Sequence, residues 1–202
     1  IDYSELKGYH IGIKPELGKV SINNDKIEIV SGGADIWGKK DQGYFVFKQF
    51  DGDFDLSVQV HSLFAAHLYT KAGIMARADL SKNSKHVFFQ VFPDNSARNK
   101  NSGGCEFQYR PEKASETKAI YPDPLTAGNK FDVNFPNTWI RLTRRGNIFK
   151  SYFSKDNVNW HIYAKHKQKM PKKLLLGLAV TSHDPNENTK AEFSSLFVTW
   201  ER

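Results

Sequence analysis

The 202-residue sequence carries 29 Lys and Arg against 22 Asp and Glu, a net charge of +7, with 13% aromatic and 25% charged residues. This length and composition predict a single domain, residues 1–202, and exclude a disordered chain. No apolar run reaches the ~18–20 residues of a membrane-spanning helix, and the single cysteine, Cys105, excludes a disulfide framework within the chain and a cysteine-built zinc site. The charge is uneven. Residues 1–136 hold 17 basic and 17 acidic side chains, whereas residues 137–202 hold 12 and 5. A chain beginning at Ile1 instead of Met reads as a processed or trimmed product.

In chain order, apolar residues recur at period two over residues 43–50, 55–61, 71–77, 86–92, 107–110, 139–143, 148–154, 160–164, 174–181 and 193–200. That alternation predicts strands with one buried face. Turn signals separate them: Ser31-Gly32-Gly33, Asp51-Gly52-Asp53, Pro93-Asp94-Asn95, Arg145-Gly146-Asn147, Asp156-Asn157 and Asp184-Pro185-Asn186. Helical spacing is nowhere sustained, so the pattern predicts an all-β sandwich or barrel. Three segments break the rhythm. Residues 95–104 read as a polar loop, residues 112–137 as a proline-containing surface excursion, and residues 165–173 as a basic loop with five lysines.

Alternation also sorts the strand faces. Ala72, Ile74, Ala76, Val87, Phe89, Val91, Phe107, Tyr109, Ile140, Leu142, Leu178 and Val180 are predicted core. The opposite faces then carry Lys71, Arg77, Gln90, Gln108, Arg110, Arg141 and His183, with Trp37 or Trp139 nearby. If these strands share one sheet, the side chains form a cationic groove. Guanidinium and amide groups fork hydrogen bonds to hydroxyls or carboxylates, and a tryptophan face stacks on a sugar ring. The competing reading pairs these cations with Asp35, Asp41 or Glu106 as a ladder that holds the sheet.

Four stretches together resemble one family: Gly33-Ala34-Asp35-Ile36-Trp37-Gly38, residues 71–77, residues 139–147 and residues 177–183. Residues 152–160 are similar to that family's serine–any–aspartate–glycine turn closed by a tryptophan, with Asn157 in the glycine's place, a residue that also enters the left-handed region. The family is the concanavalin A-like lectin/glucanase superfamily, in a jelly-roll branch similar to the C-terminal domain of some β-xylosidases. The resemblance implies a two-sheet antiparallel jelly-roll β-sandwich whose curved sheet binds sugar on its concave face. It also implies a secreted, periplasmic or cell-surface setting.

Catalytic signals are weak. The alternating carboxylates that the family's glucanases place in one cleft are absent, and Asp51, Asp53 and Asp55 straddle a turn at Gly52. No zinc-type histidine motif, nucleophile elbow or phosphate loop occurs. Asp35 and Asp41 are candidate ligands for a structural Ca²⁺, with turn-capping as the simpler role, and no other cofactor is implied. The expected function is a carbohydrate-binding domain or accessory module whose cationic groove suits uronate-bearing or sulfated glycans. No nucleic-acid motif is present. The alternative is a glycoside hydrolase or a polysaccharide lyase, in which Arg110 or Arg141 neutralises a uronate and His183 or His86 abstracts a proton.

Overall fold

The computed structural model describes residues 2–96, 104–121 and 132–199. Two seven-stranded antiparallel sheets face each other. The first contains β1 (Lys7–Ile11), β6 (Gly43–Asp51), β8 (Lys71–Arg77), β9 (His86–Val91), β10 (Cys105–Arg110), β11 (Lys118–Ile120) and β15 (Lys173–Thr181), in the order β1-β6-β15-β8-β9-β10-β11. The second contains β2 (Gly18–Asn23), β3 (Lys26–Gly33), β7 (Phe54–Leu63), β12 (Thr138–Arg145), β13 (Ile148–Ser154), β14 (His161–Lys167) and β16 (Asp184–Thr199), in the order β14-β13-β12-β7-β16-β3-β2. A small hairpin, β4 (Ile36–Trp37) with β5 (Lys40–Asp41), stands outside both. This is the two-sheet antiparallel sandwich that the family resemblance implies, and one of the two architectures, sandwich or barrel, that the strand pattern left open.

The main core lies between the sheets. Ile74, Val87, Phe89, Phe107, Leu178 and Val180 from the first sheet meet Leu56, Val58, Ile140, Leu142, Phe149 and Phe193 from the second. These are the inward positions of the period-two runs, and each side chain fully removed from water stabilises the fold by about 1.5–3 kcal/mol. The turn at residues 154–159 follows the expected chemistry. Ser154 Oγ accepts from the backbone of Asp156 and Asn157, Asp156 Oδ1 accepts from Val158 and Asn159, and Asn157 takes φ +61°.

Strands β1, β2 and β3 add to the strands read from the sequence: β1 and β2 are edge strands with mostly exposed side chains, while β3 buries Ile27 and Ile29 alternately. One expectation is corrected here. The basic segment at 165–173 is largely not a solvated loop. Strand β14 runs to Lys167, Gln168 is buried with its amide donating to Arg110 O at 3.1 Å, and Met170 enters the main core. The polar segment read over 95–104 and the excursion read over 112–137 lie partly outside the described residues.

Candidate functional site

The first sheet's second face, turned away from the main core, is where five of the predicted cationic and amide residues meet. Lys71 and Arg77 stand on β8, Gln90 on the adjacent β9, and Gln108 and Arg110 on β10 beside it. These three strands therefore meet the condition, one shared sheet, on which the sequence reading grouped the five. That reading did not foresee what covers them.

The β4–β5 hairpin folds over this face. Ile36 packs into a second apolar cluster with Ile11, Phe45, Phe47, Met75, Phe88 and Ala179. Gln108 Nε2 donates to Ile36 O at 2.7 Å, and Arg110 donates to Gly38 O through Nη2 at 2.9 Å. The hairpin also delivers Asp41 into the sheet. Its carboxylate accepts from Arg77 Nη1 at 2.6 Å, from Arg110 Nη2 at 2.6 Å and from Arg110 Nη1 at 2.8 Å. All three side chains are fully excluded from solvent. Burial opposes the charged form of Asp41, yet the facing cationic groups hold its carboxyl below the ordinary range.

The open groove over Arg77 and Arg110 is thus corrected: they belong to a buried charge cluster, the ladder reading of the sequence. His86 is corrected as a proton-abstracting residue. It is wholly buried beside Asp41, and burial pushes its pKa down to about 3. Gln90 and Gln108 are buried too, beneath the surface. Arg141 and Trp139 are corrected more simply, since both stand on β12 in the other sheet. Asp41 does not fit the proposed Ca²⁺ site, because both its oxygens already accept from guanidinium groups. Among the described residues no cluster of three or more His, Cys, Asp or Glu could hold a metal ion.

Beside the hairpin, where the cover ends, lies a cavity of about 240 Å³. Its walls include Trp37 and His183 from the predicted set, with Lys71 at its base. Lys71 is almost fully buried and central. Its Nζ lies 2.9 Å from Asp35 Oδ1, 3.7 Å from Glu106 Oε1 and 3.1 Å from Gln108 Oε1, and 5.1 Å from the centre of the Trp37 ring. One ammonium therefore sits between two carboxylates. His183 Nδ1 lies 3.1 Å from Asp35 Oδ2, and its ring packs against His67 and Tyr69 with centroids 4.5 and 5.3 Å away. Burial favours the neutral acid at Asp35, but the adjacent His183 ring and the Lys71 charge outweigh it and hold the carboxyl below its ordinary value.

Tyr121 closes the cavity's far side, its hydroxyl donating to Glu106 Oε2. Gln90 Nε2 donates to Glu106 Oε1 at 3.5 Å, while the Gln90 Oε1 is a buried acceptor without a hydrogen-bond partner. Trp37 and Tyr121, 37% and 43% exposed, stand at the rim of this polar floor. Sequence reasoning missed Tyr69 and Tyr121. Tyr69 lies in the connection between β7 and β8, and Tyr121 follows the short β11 in a proline-containing stretch, so neither carries a periodic signal. Glu106 was legible only as a partner for the cations, and Asp35 as such a partner or as a Ca²⁺ ligand.

No family model matches the sequence, and no curated protein matches it. Solved structures do. A protein of unknown function from Saccharomyces cerevisiae superposes with a TM-score of 0.71 at 16% identity, covering 100% of both chains. The GH43 protein BlXynB from Bacillus licheniformis matches with a TM-score of 0.60 at 10% identity, over 86% of this chain and 32% of that one. Lectin UEA-II, solved in complex with galactose, matches with a TM-score of 0.58 at 8% identity, over 97% of this chain and 92% of that one. With two antiparallel seven-stranded sheets around one core and these neighbours, the chain has the concanavalin A-like lectin/glucanase fold.

Proposed function

We propose that the chain binds carbohydrate in the cavity between Trp37 and Tyr121, and that the sugar residue it holds there is uncharged. The carrying observation is the Lys71 ammonium held between Asp35 and Glu106, flanked by two half-exposed aromatic rings. Two fixed carboxylates accept hydrogen bonds from vicinal sugar hydroxyls, and an aromatic face packs on the apolar C–H surface of the ring. Lys71 balances one of the two negative charges, so the floor offers no unpaired cation to a uronate or sulfate. The cationic groove that favoured anionic glycans is absent here because Arg77 and Arg110 are buried against Asp41, out of a ligand's reach. A volume of about 240 Å³ is below the ~300–1,000 Å³ of drug-sized sites, which suits one terminal sugar residue better than a chain running through. The galactose complex of lectin UEA-II supports the reading as a fold that can carry a sugar. A secreted, periplasmic or cell-surface setting goes with it.

A glycan array with neutral and acidic members tests this. Neutral glycans are expected to bind, and Trp37→Ala is expected to weaken them about three- to tenfold, the worth of one aromatic contact. Binding confined to acidic glycans, or unaltered by Trp37→Ala, would overturn the proposal.

A further inference from the structure

The charge excess of residues 137–202 converges on the opposite side of the molecule. On the solvent face of the second sheet, Arg141, Arg145, Lys150 and Lys165 line a cavity of about 420 Å³ in which Asp55 is the one acid. Strand register explains the convergence. Thr143 stands opposite Asp55 on one side and Lys150 on the other, and Lys150 stands opposite Lys165. Arg145, Ile148 and Lys167 form the next row. Residues two apart share a face, so five cations lie within three strands and three rows.

Like charges directly opposite each other destabilise a sheet. Lysines on an edge strand are commonly there to block edge pairing, which accounts for Lys165 and Lys167 on β14. It does not account for Lys150, Arg141 and Arg145, which stand on interior strands. Among the described residues no ion pair involves Lys150 or Lys165.

Arg141 is held in place rather than left to wander. Its Nε donates to Asp55 Oδ1 at 2.6 Å and its Nη2 to Asp55 Oδ2, while the Tyr152 and Trp160 rings lie 5.3 and 5.6 Å from its Cζ. The Asp55 hydrogen bond raises the guanidinium pKa further, so the group stays charged. Nη1 is left to meet an incoming oxyanion, and a fixed cation costs less ordering on binding than a mobile one.

We propose that this face is a second binding site, distinct from the Trp37 cavity, and that its ligand is a sulfated linear polysaccharide. Repeated sulfates match cations repeated across β12, β13 and β14, and sugar hydroxyls suit Thr143 and the Asp55 edge. A single-stranded nucleic acid needs open aromatic faces for its bases. Here the Tyr152 and Trp160 rings are engaged by the Arg141 guanidinium.

The test measures binding of dextran sulfate, with unsulfated dextran, a single-stranded oligonucleotide and anionic lipid vesicles alongside. Dextran sulfate alone is expected to bind, weakening about tenfold or more between about 50 mM and about 500 mM salt. The double variant Lys150→Glu/Lys165→Glu is expected to lose about tenfold or more. Lys14→Glu/Lys19→Glu, the same charge change at the far side of the sheet, is expected to stay within about twofold. Trp37→Ala is expected to leave this binding unchanged, which separates the two sites. Unaltered thermal midpoints for both double variants establish that they fold. Equal losses in the two double variants, no binding of dextran sulfate, or binding of the oligonucleotide or vesicles as tight as that of dextran sulfate would each overturn the proposal.

Discussion

Arg110 grips Asp41 with both terminal nitrogens, Nη2 to Oδ1 at 2.6 Å and Nη1 to Oδ2 at 2.8 Å, and neither side chain touches solvent. This fork joins the hairpin to the sheet it covers. Replacing one partner leaves buried charge uncompensated, a loss of about 3–5 kcal/mol. Asp41→Asn is therefore expected to lower the urea midpoint strongly, because Arg77 and Arg110 then lose their shared anion. A midpoint within error of wild type would contradict this role.

The same cluster sets a pH dependence. His86 is buried and its pKa is depressed to about 3, whereas an unfolded histidine titrates near 6.5. Between those values the unfolded chain binds the extra proton, so stability is full above about pH 6.5 and falls as pH drops, by at most about 1.4 kcal/mol per pH unit. The depressed carboxyls of Asp35 and Asp41 add a further loss only below about pH 4, as they become protonated. His86→Gln is expected to flatten the profile between about pH 6.5 and 4. Denaturation midpoints at several pH values give the slope directly, and an unchanged slope would contradict the account.

Lys71 is the corresponding keystone of the cavity. Lys71→Met leaves Asp35 and Glu106 facing each other without their cation, at a cost of about 3 kcal/mol or more. Adding Asp35→Asn is expected to recover part of that loss, giving a coupling of about 0.5–3 kcal/mol in a double-mutant cycle. Strict additivity would show that the pair does not act as one unit.

Gly177 reports on how closely the strands of the first sheet approach. A Cβ there would lie 1.9 Å from Val46 O and 2.7 Å from Phe47 Cα, both backbone atoms of the neighbouring β6. Backbone cannot move aside as a flexible side chain can, so Gly177→Ala is expected to destabilise by about 1–3 kcal/mol or more. Calorimetry of the variant checks this, and a wild-type melting temperature would contradict it.

Much of the fold was legible because a sandwich writes its inner faces at period two. Ile74, Phe89, Ile140, Leu142, Leu178 and Val180 are core as the alternation predicts. The site was only half legible, for a physical reason. Alternation tells which face of a strand a side chain takes, and it put Lys71, Arg77, Gln90, Gln108 and Arg110 on faces turned from the core. It says nothing about what folds over that face, so the β4–β5 hairpin with Ile36 and Asp41 turned an expected groove into a buried cluster. Arg141 illustrates the other limit, since period two does not say which sheet a strand joins.

The central claim is that sugar sits against Trp37. The chain has four tryptophans, Trp37, Trp139, Trp160 and Trp200, so an ¹⁵N-labelled sample gives four indole N–H resonances, with Trp37→Phe identifying the relevant one. Titration with the neutral glycan that binds best on the array is predicted to shift the Trp37 resonance in a saturable way and leave those of Trp139 and Trp160 in place. A saturating titration that leaves Trp37 unmoved, or that moves Trp139 or Trp160 instead, would contradict it.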